Sequence, residues 1–284
     1  MPNHPAIAPG RVAVITGGAG GIGLAAAKRL ASLGLRIVIA DLDQAGLDTA
    51  AAEIAASSPG TDAGVIAVRC DVSRMDDVQA LKARAYDAFG EVAVLMNNAG
   101  TGPGGGPFDH YDRWQHVIGV NLWGVINGVH AFAEAMIAQG TDAMIVNTGS
   151  KQGITCPPGD TAYNVSKAGV KVITEGLQHQ LRITPGCKVS AHLLVPGWTH
   201  TGLTAREGGA KPAGAWSPDQ VVDMMLERTG RGDFYIICPD NEVSWETDRK
   251  RILWAAGDIA ENRPPLSRWH ADYGLAFKDF LRQG

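Results

Sequence analysis

The 284-residue chain lacks the marks of several protein classes. Its cysteines, Cys70, Cys156, Cys187 and Cys238, are widely spaced and form no CxxC pair, and no histidine cluster falls at metal-ligand spacing. Neither a metal centre nor a disulfide framework is therefore expected. The opening MPNHPAIAPG has no apolar core region, so a secretory signal is not expected, and reduced thiols in the cytoplasm are. No apolar run reaches the roughly 18 residues that a bilayer span needs. The formal charge is −4, with no block of like charge and no basic stripe, which argues against a nucleic-acid partner. The chain has no internal repeat and no linker of distinct composition.

Hydrophobic residues make up 45% of the chain and charged residues 19%, as in a globular domain. Strand and helix patterns alternate over the first two-thirds. Apolar runs at 11–16, 35–40, 65–69, 92–96, 144–147, 189–195 and 234–238 read as about seven strands. Helical spacing recurs at 22–33, 44–57, 75–89, 114–138, 162–182 and 218–228. The early strands are nearly continuous apolar runs, which suits strands covered on both faces. The expected fold is thus α/β: a doubly wound parallel sheet of the Rossmann type in a single domain, with a C-terminal helical tail. Residues 1–240 form the expected domain. Residues 241–284, with Trp245, Trp254 and Trp269, form an extension packed on that domain or on a neighbouring subunit.

The segment Thr16-Gly17-Gly18-Ala19-Gly20-Gly21-Ile22-Gly23 lies between the first strand and the first helix. Glycines let backbone N–H groups approach a pyrophosphate, and the helix N-terminus offers a partial positive charge. In this strand–turn–helix setting the motif predicts a dinucleotide site that includes Gly17, Gly21, Ile22 and Gly23. Asp41 ends the second strand about 20 residues on, where a carboxylate binds ribose hydroxyls and repels a 2′-phosphate. No Lys or Arg lies in the glycine loop to offset it, so NAD rather than NADP is expected. Asp43 competes for the role. Asp71 and Val72, after the third strand, are placed near the adenine amino group.

Tyr163 and Lys167, in TAYNVSKAGVK, project from one helix face. A phenol of ordinary pKa about 10 is a poor base near neutrality. A neighbouring ammonium favours the phenolate. Tyr163 then exchanges a proton with a substrate hydroxyl while hydride moves to or from the cofactor, with Lys167 reaching the nicotinamide ribose. Ser150 ends the fifth strand and opens into the crevice, where it holds the substrate oxygen. Without a G-x-S-x-G elbow it is not read as a nucleophile.

Together these segments resemble the short-chain dehydrogenase/reductase family. TGGAGGIG is similar to its TGxxxGxG fingerprint, Asn97-Asn98-Ala99-Gly100 to its NNAG, and Ser150, Tyr163 and Lys167 to its catalytic serine and YxxxK pair. Asn121 in GVNLWG is similar to its helix asparagine, and the segment 196–201 to its PGxxxT. The motifs fall in family order over about residues 10–240. The resemblance implies that Asn121 holds a water in a proton relay from Lys167. It implies that Pro196, Thr199 and Thr201 contact the nicotinamide amide, and that Asn98 lies near the adenosine ribose or the strand below it. It also implies a homodimer or homotetramer built through the two long helices. Two positions depart from the common pattern: Lys151-Gln152 after the serine, and Thr199 where an aliphatic residue is usual.

Substrate choice is assigned to 153–160, to the Gly- and Ala-rich segment 198–216 read as a lid, and to the tail. Gln152, Trp198 and Trp216 are the candidate substrate contacts. Cys156 lies nearby with nothing to lower its pKa. The expected activity is NAD-dependent interconversion of a secondary alcohol and a ketone. The alternatives are a non-catalytic NAD-binding regulator on the same fold, which has no need of Ser150, Tyr163 and Lys167, and an NAD-using epimerase or lyase, whose relatives usually carry a larger substrate domain.

Overall fold

The computed structural model describes residues 3–59, 64–204 and 210–282. Seven strands form one sheet: β1 (Val12–Thr16), β2 (Arg36–Asp41), β3 (Val65–Arg69), β4 (Val94–Asn97), β5 (Ala143–Thr148), β6 (Val189–Val195) and β7 (Tyr235–Ile237). Their order is β3-β2-β1-β4-β5-β6-β7, and every pairing is parallel. The order reverses between β1 and β4, and a crevice opens at that switch beyond the strands' carboxyl ends. Side chains alternate across the sheet, so one strand feeds two cores. Ala13 and Ile15 point into one layer with α1 (Gly21–Ser32) and α2 (Gln44–Ser57). Val12 and Val14 point into the other, with α3 (Met75–Phe89).

The long helical stretch expected at 114–138 begins earlier and is interrupted. It runs as α4 (Tyr111–Ile118), a π-helical turn (Gly119–Trp123) and α5 (Gly124–Ala138). A π turn inserts one residue into the helical ladder and often marks a functional position; here it contains Asn121, which is fully buried. The expected loop at 153–160 starts instead with a short turn, α6 (Gln152–Thr155). Next come α7 (Thr161–Ile183) and α8 (Pro218–Gly230). A capping box between Ser217 and Gln220 starts α8.

The tail forms α9 (Trp245–Ala260), two 3₁₀ turns and α10 (Gly274–Arg282). Trp254 anchors it: the ring meets Phe277 edge-on at 5.2 Å, Arg263 stacks on it at 4.2 Å, and its Nε1 donates to Ser267 Oγ at 2.8 Å. Trp245 and Trp269 stay substantially exposed. Among the described residues, no helix is long and apolar enough to cross a membrane.

Candidate active site

The glycine turn is shaped by steric exclusion. Gly17 has φ +64°, in the left-handed region, and a Cβ there would lie 2.8 Å from Ala99 Cα. At Gly23 a Cβ would lie 2.1 Å from the Gly17 carbonyl oxygen, so helix α1 packs on its own entry turn only without a side chain. The first turn of α1 carries no acidic residue to offset its positive end. Asp41 closes the site from β2: its carboxylate accepts from Ala19 N–H at 3.2 Å and Leu42 N–H at 2.8 Å. This is a cradle that side chains would fill, with free backbone donors, and it fits a dinucleotide pyrophosphate.

A cleft of about 300 Å³ extends from this turn to the ends of β5 and α7. Gly17, Gly21, Ile22, Asp41, Asn98, Ser150, Tyr163, Lys167, Pro196, Thr199 and Thr201 all line it. Thus most of the sequence-predicted cofactor and catalytic residues converge on one opening. The loop after β6 reaches over to the glycine turn, where a Cβ on Gly21 would lie 3.2 Å from Thr201. Of the expected lid, residues 205–209 lie outside the described residues.

Other candidates sit elsewhere. Asp71 and Val72 are not among the lining residues. Asp71 instead accepts from Ser73 N–H and Oγ–H at 3.0 and 2.6 Å, while buried Val72 presents its carbonyl to Asn127. Gly23 serves the turn's packing. Asn98 lines the cleft, yet its amide is spent on the strand below, donating to the Thr16 carbonyl at 3.2 Å. Asn121 Oδ1 accepts from Thr101 N–H at 2.7 Å, and its Nδ2 donates to the Thr101 carbonyl and Ser166 Oγ at 2.9 and 3.1 Å. Its side chain therefore fastens the loop after β4 to α7. Of the substrate candidates, Gln152 and Trp198 are exposed outside the lining. Trp216 packs on the core layer containing α1 and α8, and its backbone pairs with that of Trp198.

Tyr163 and Lys167 share the inner face of α7. Lys167 is buried, and its ammonium donates to the Thr148 carbonyl at 2.9 Å and lies 5.7 Å from the Tyr163 ring centre. Burial pulls its pKa down to about 8. The Ser150 hydroxyl beside the phenol favours the phenolate, but burial outweighs it and the nearby Asp160 carboxylate adds to the upward push. In this protein-only site the phenol is thus raised, against the expectation that the lysine would lower it. The physical reason is desolvation: the helix face that aligns the two groups also removes both from water.

Three positions that sequence reading passed over build the site. Asp160 caps α7, accepting from Tyr163 N–H at 3.2 Å, and also from Gly104 and Gly105 N–H at 3.0 Å each. It thereby ties the glycine-rich loop to α7. An aspartate three residues before the tyrosine is an N-cap signal that could have identified it. Thr16 Oγ accepts from Asn98 and Ala99 N–H at 3.0 and 3.1 Å. Leu203 borders the cleft beside Gly102 and Tyr163. Cys156 is pushed above its ordinary pKa by burial, which makes it a poor nucleophile.

Comparison with known proteins agrees with this geometry. The short chain dehydrogenase family profile matches residues 11–211. The 1-deoxy-11-beta-hydroxypentalenate dehydrogenase of Streptomyces exfoliatus is 32% identical over 268 residues, spanning 92% of this chain and 94% of its own. The 3beta-hydroxysteroid dehydrogenase 2 of Eggerthella lenta is 32% identical over 202 residues, 70% of this chain and 75% of its own. A short chain dehydrogenase/reductase from Burkholderia phymatum, solved with NAD, superposes with a TM-score of 0.81 at 34% identity, covering 91% of this chain and 97% of that one. Other solved relatives hold NADP or NADPH. The chain belongs to the short chain dehydrogenase family.

Proposed function

We propose that this chain is an NAD-dependent dehydrogenase/reductase acting on a secondary alcohol or ketone borne on an apolar ring. The observation that carries the reaction class is the convergence of Ser150, Tyr163 and buried Lys167 on one cleft. Gly17, Gly21, Ile22, Asp41, Asn98, Pro196, Thr199 and Thr201 are the residues that would hold the dinucleotide, with Asp71 and Val72 toward the adenine. When bound, NAD supplies the hydride acceptor, or in reduced form the donor.

Ser150 Oγ holds the substrate oxygen beside Tyr163 Oη. In oxidation Tyr163 Oη takes the hydroxyl proton; in reduction it returns one. Lys167, easily deprotonated at a pKa of about 8, passes the proton on toward solvent. Asn121 supports this route by holding the loop after β4 against α7. For nucleotide choice, Asp41 presents a carboxylate to the ribose end, and Lys167 is the one Lys or Arg among the described lining residues, at the opposite end. That charge pattern supports NAD.

The substrate class rests on shape and on relatives. Leu203 and Pro196 give the cleft an apolar border, with exposed Trp198 adjoining it. Similar proteins are named for a hydroxysteroid and a cyclohexadiene-diol, hydroxyls carried on carbocycles. Exposed Trp123, Val165 and Val172, in the π turn and on α7, support a homodimer or homotetramer through the long helices. The four free thiols support a cytoplasmic location.

The test is a panel of ring alcohols and their ketones, from cyclohexanol to a 3β-hydroxysteroid, assayed with NAD(H) and NADP(H) by reduced-nicotinamide absorbance. Turnover of ring substrates with NAD preferred is expected. Preference for NADP would refute the nucleotide assignment, and activity confined to open-chain alcohols would refute the ring class.

A further inference from the structure

We propose that Lys151 is a positioning residue that binds the catalytic turn and the loop after β6 to the C-terminal tail; its effect on turnover rests on the reading of Ser150 and Tyr163 given above. Lys151 directly follows Ser150 and opens the α6 turn. Ser150 Oγ accepts from Gln152 N–H at 3.2 Å, and the Lys151 carbonyl accepts from Ile154 and Thr155 N–H at 3.1 Å each. One side of this turn presses on the catalytic helix: a Cβ on Gly153 would lie 2.4 Å from the Lys167 carbonyl carbon.

The other side is held by charge. Lys151 Nζ lies 2.5 Å from Asp248 Oδ2, on α9, and 3.4 Å from Asp240 Oδ2. Both carboxylates are nearly inaccessible, at 6% and 7% side-chain exposure. The same Asp240 oxygen accepts from Trp198 N–H at 3.3 Å, while its partner oxygen accepts from Glu242 and Val243 N–H at 3.1 and 2.8 Å. Gly197 leaves the room: a Cβ there would lie 2.9 Å from Lys151 Nζ. One ammonium thus joins the serine turn, the segment 196–198 and the tail.

Arg251 stands on the far side of Asp248, 3.7 Å from Oδ1, and Arg268 shares the small cavity these groups line. They draw on the Asp248 carboxylate. Lys151, the residue next to Ser150, links directly to the tail's carboxylates. The tail so becomes a brace for the two walls between which a carbinol is held.

The test compares Lys151→Met, Lys151→Arg and Asp248→Asn by amide hydrogen exchange and steady-state kinetics, using NAD and whichever panel alcohol turns over fastest. In Lys151→Met and Asp248→Asn, exchange should quicken about tenfold in peptides covering 150–156 and 196–199. Turnover should fall ten- to hundredfold, as misplacement of a reacting group does, with the KM for NAD within twofold. Lys151→Arg should restore both. In a Ser150→Ala background Lys151→Met should cost little more, because both changes act on one interaction.

Unchanged exchange, wild-type turnover despite faster exchange, or losses that multiply in the double variant would overturn the proposal. Wild-type turnover in Ser150→Ala would instead overturn the role given to Ser150, while the exchange data still decide whether Lys151 anchors the turn. If Lys151→Met does not fold, Asp248→Asn and Asp240→Asn carry the same expectations.

Discussion

The nucleotide end and the substrate end of the cleft are built by different means. At the nucleotide end the backbone forms the site. Gly17 and Gly23 are sterically required, the donors are main-chain N–H groups, and Asp41 is held by two more N–H bonds. At the substrate end side chains do: Ser150 beside Tyr163 in one cleft, Lys167 on the Thr148 carbonyl, and Lys151 between Asp240 and Asp248. Backbone sites are fixed by local conformation and tolerate little change in any substrate context. Side-chain sites depend on desolvated charge, so they can be retuned by substitution and by pH.

The sharpest separation of the two ends comes from Tyr163→Phe. It should lower turnover by about 10²- to 10⁴-fold while NAD binding, measured by quenching of protein fluorescence, stays within about threefold. Equal loss of both would merge the two ends into one unit. The converse variant, Gly23→Ala, places a methyl group against the Gly17 oxygen. It should weaken NAD binding at least tenfold and cost about 1–3 kcal/mol of stability in thermal melts, the usual penalty for overpacking. An unperturbed Gly23→Ala protein would show that the turn is looser than its geometry.

A third prediction takes the same contrast to buried side chains on β6. His192 Nδ1 lies 2.8 Å from the Asp233 carbonyl, which only an N–H can satisfy, so Ser190 Oγ–H donates to His192 Nε2. His4 Nδ1 accepts from Ala6 N–H, so its Nε2–H donates to Ser190. Both rings must stay neutral for this chain of bonds. Burial lowers both pKa values, His4 to about 4 with a further push from His192 and a smaller opposing pull from Asp142. The unfolded chain therefore binds more protons between about 4 and the ordinary value of 6.5. Stability is intact above 6.5 and drains away as pH falls through this window, by on the order of 2 kcal/mol for the partly exposed His4. His4→Gln should flatten the acid limb of the melting-temperature profile; an unaltered limb would dissociate it from this cluster.

The smallest expected effect is at Asp41. Asp41→Ala should narrow the preference for NAD over NADP about tenfold in the ratio of kcat/KM, with turnover on NAD little changed. A preference that stays fixed would move the discrimination from this carboxylate to another part of the ribose end.

Local patterns carried the fold into view. The apolar runs of β1, β2 and β5 and the spacing of α1 and α7 are short-range signals, and continuous apolar strands alternating with helices gave the parallel sheet. Tyr163 and Lys167 were legible because four residues make one helical turn. The local surroundings of Asp71 and Trp216 were not legible in the same way. Asp71 bonds Ser73, and Trp216 packs on the α1–α8 core layer. The direction of the Tyr163 shift was also hidden, because desolvation depends on everything packed around a side chain and not on its helix partner.

The chain's order of residues was enough to determine the parallel sheet and the glycine turn, since each follows from continuous apolar strands or from contacts within a few residues, and it pointed to Ser150, Tyr163 and Lys167 through a family resemblance. The tertiary structure decided which of those groups share a cleft, that burial raises the phenol, and that Asp240 and Asp248 reach Lys151 across some 90 residues of chain. Ion pairing and desolvation act through space, and no local pattern encodes which distant carboxylate an ammonium will meet.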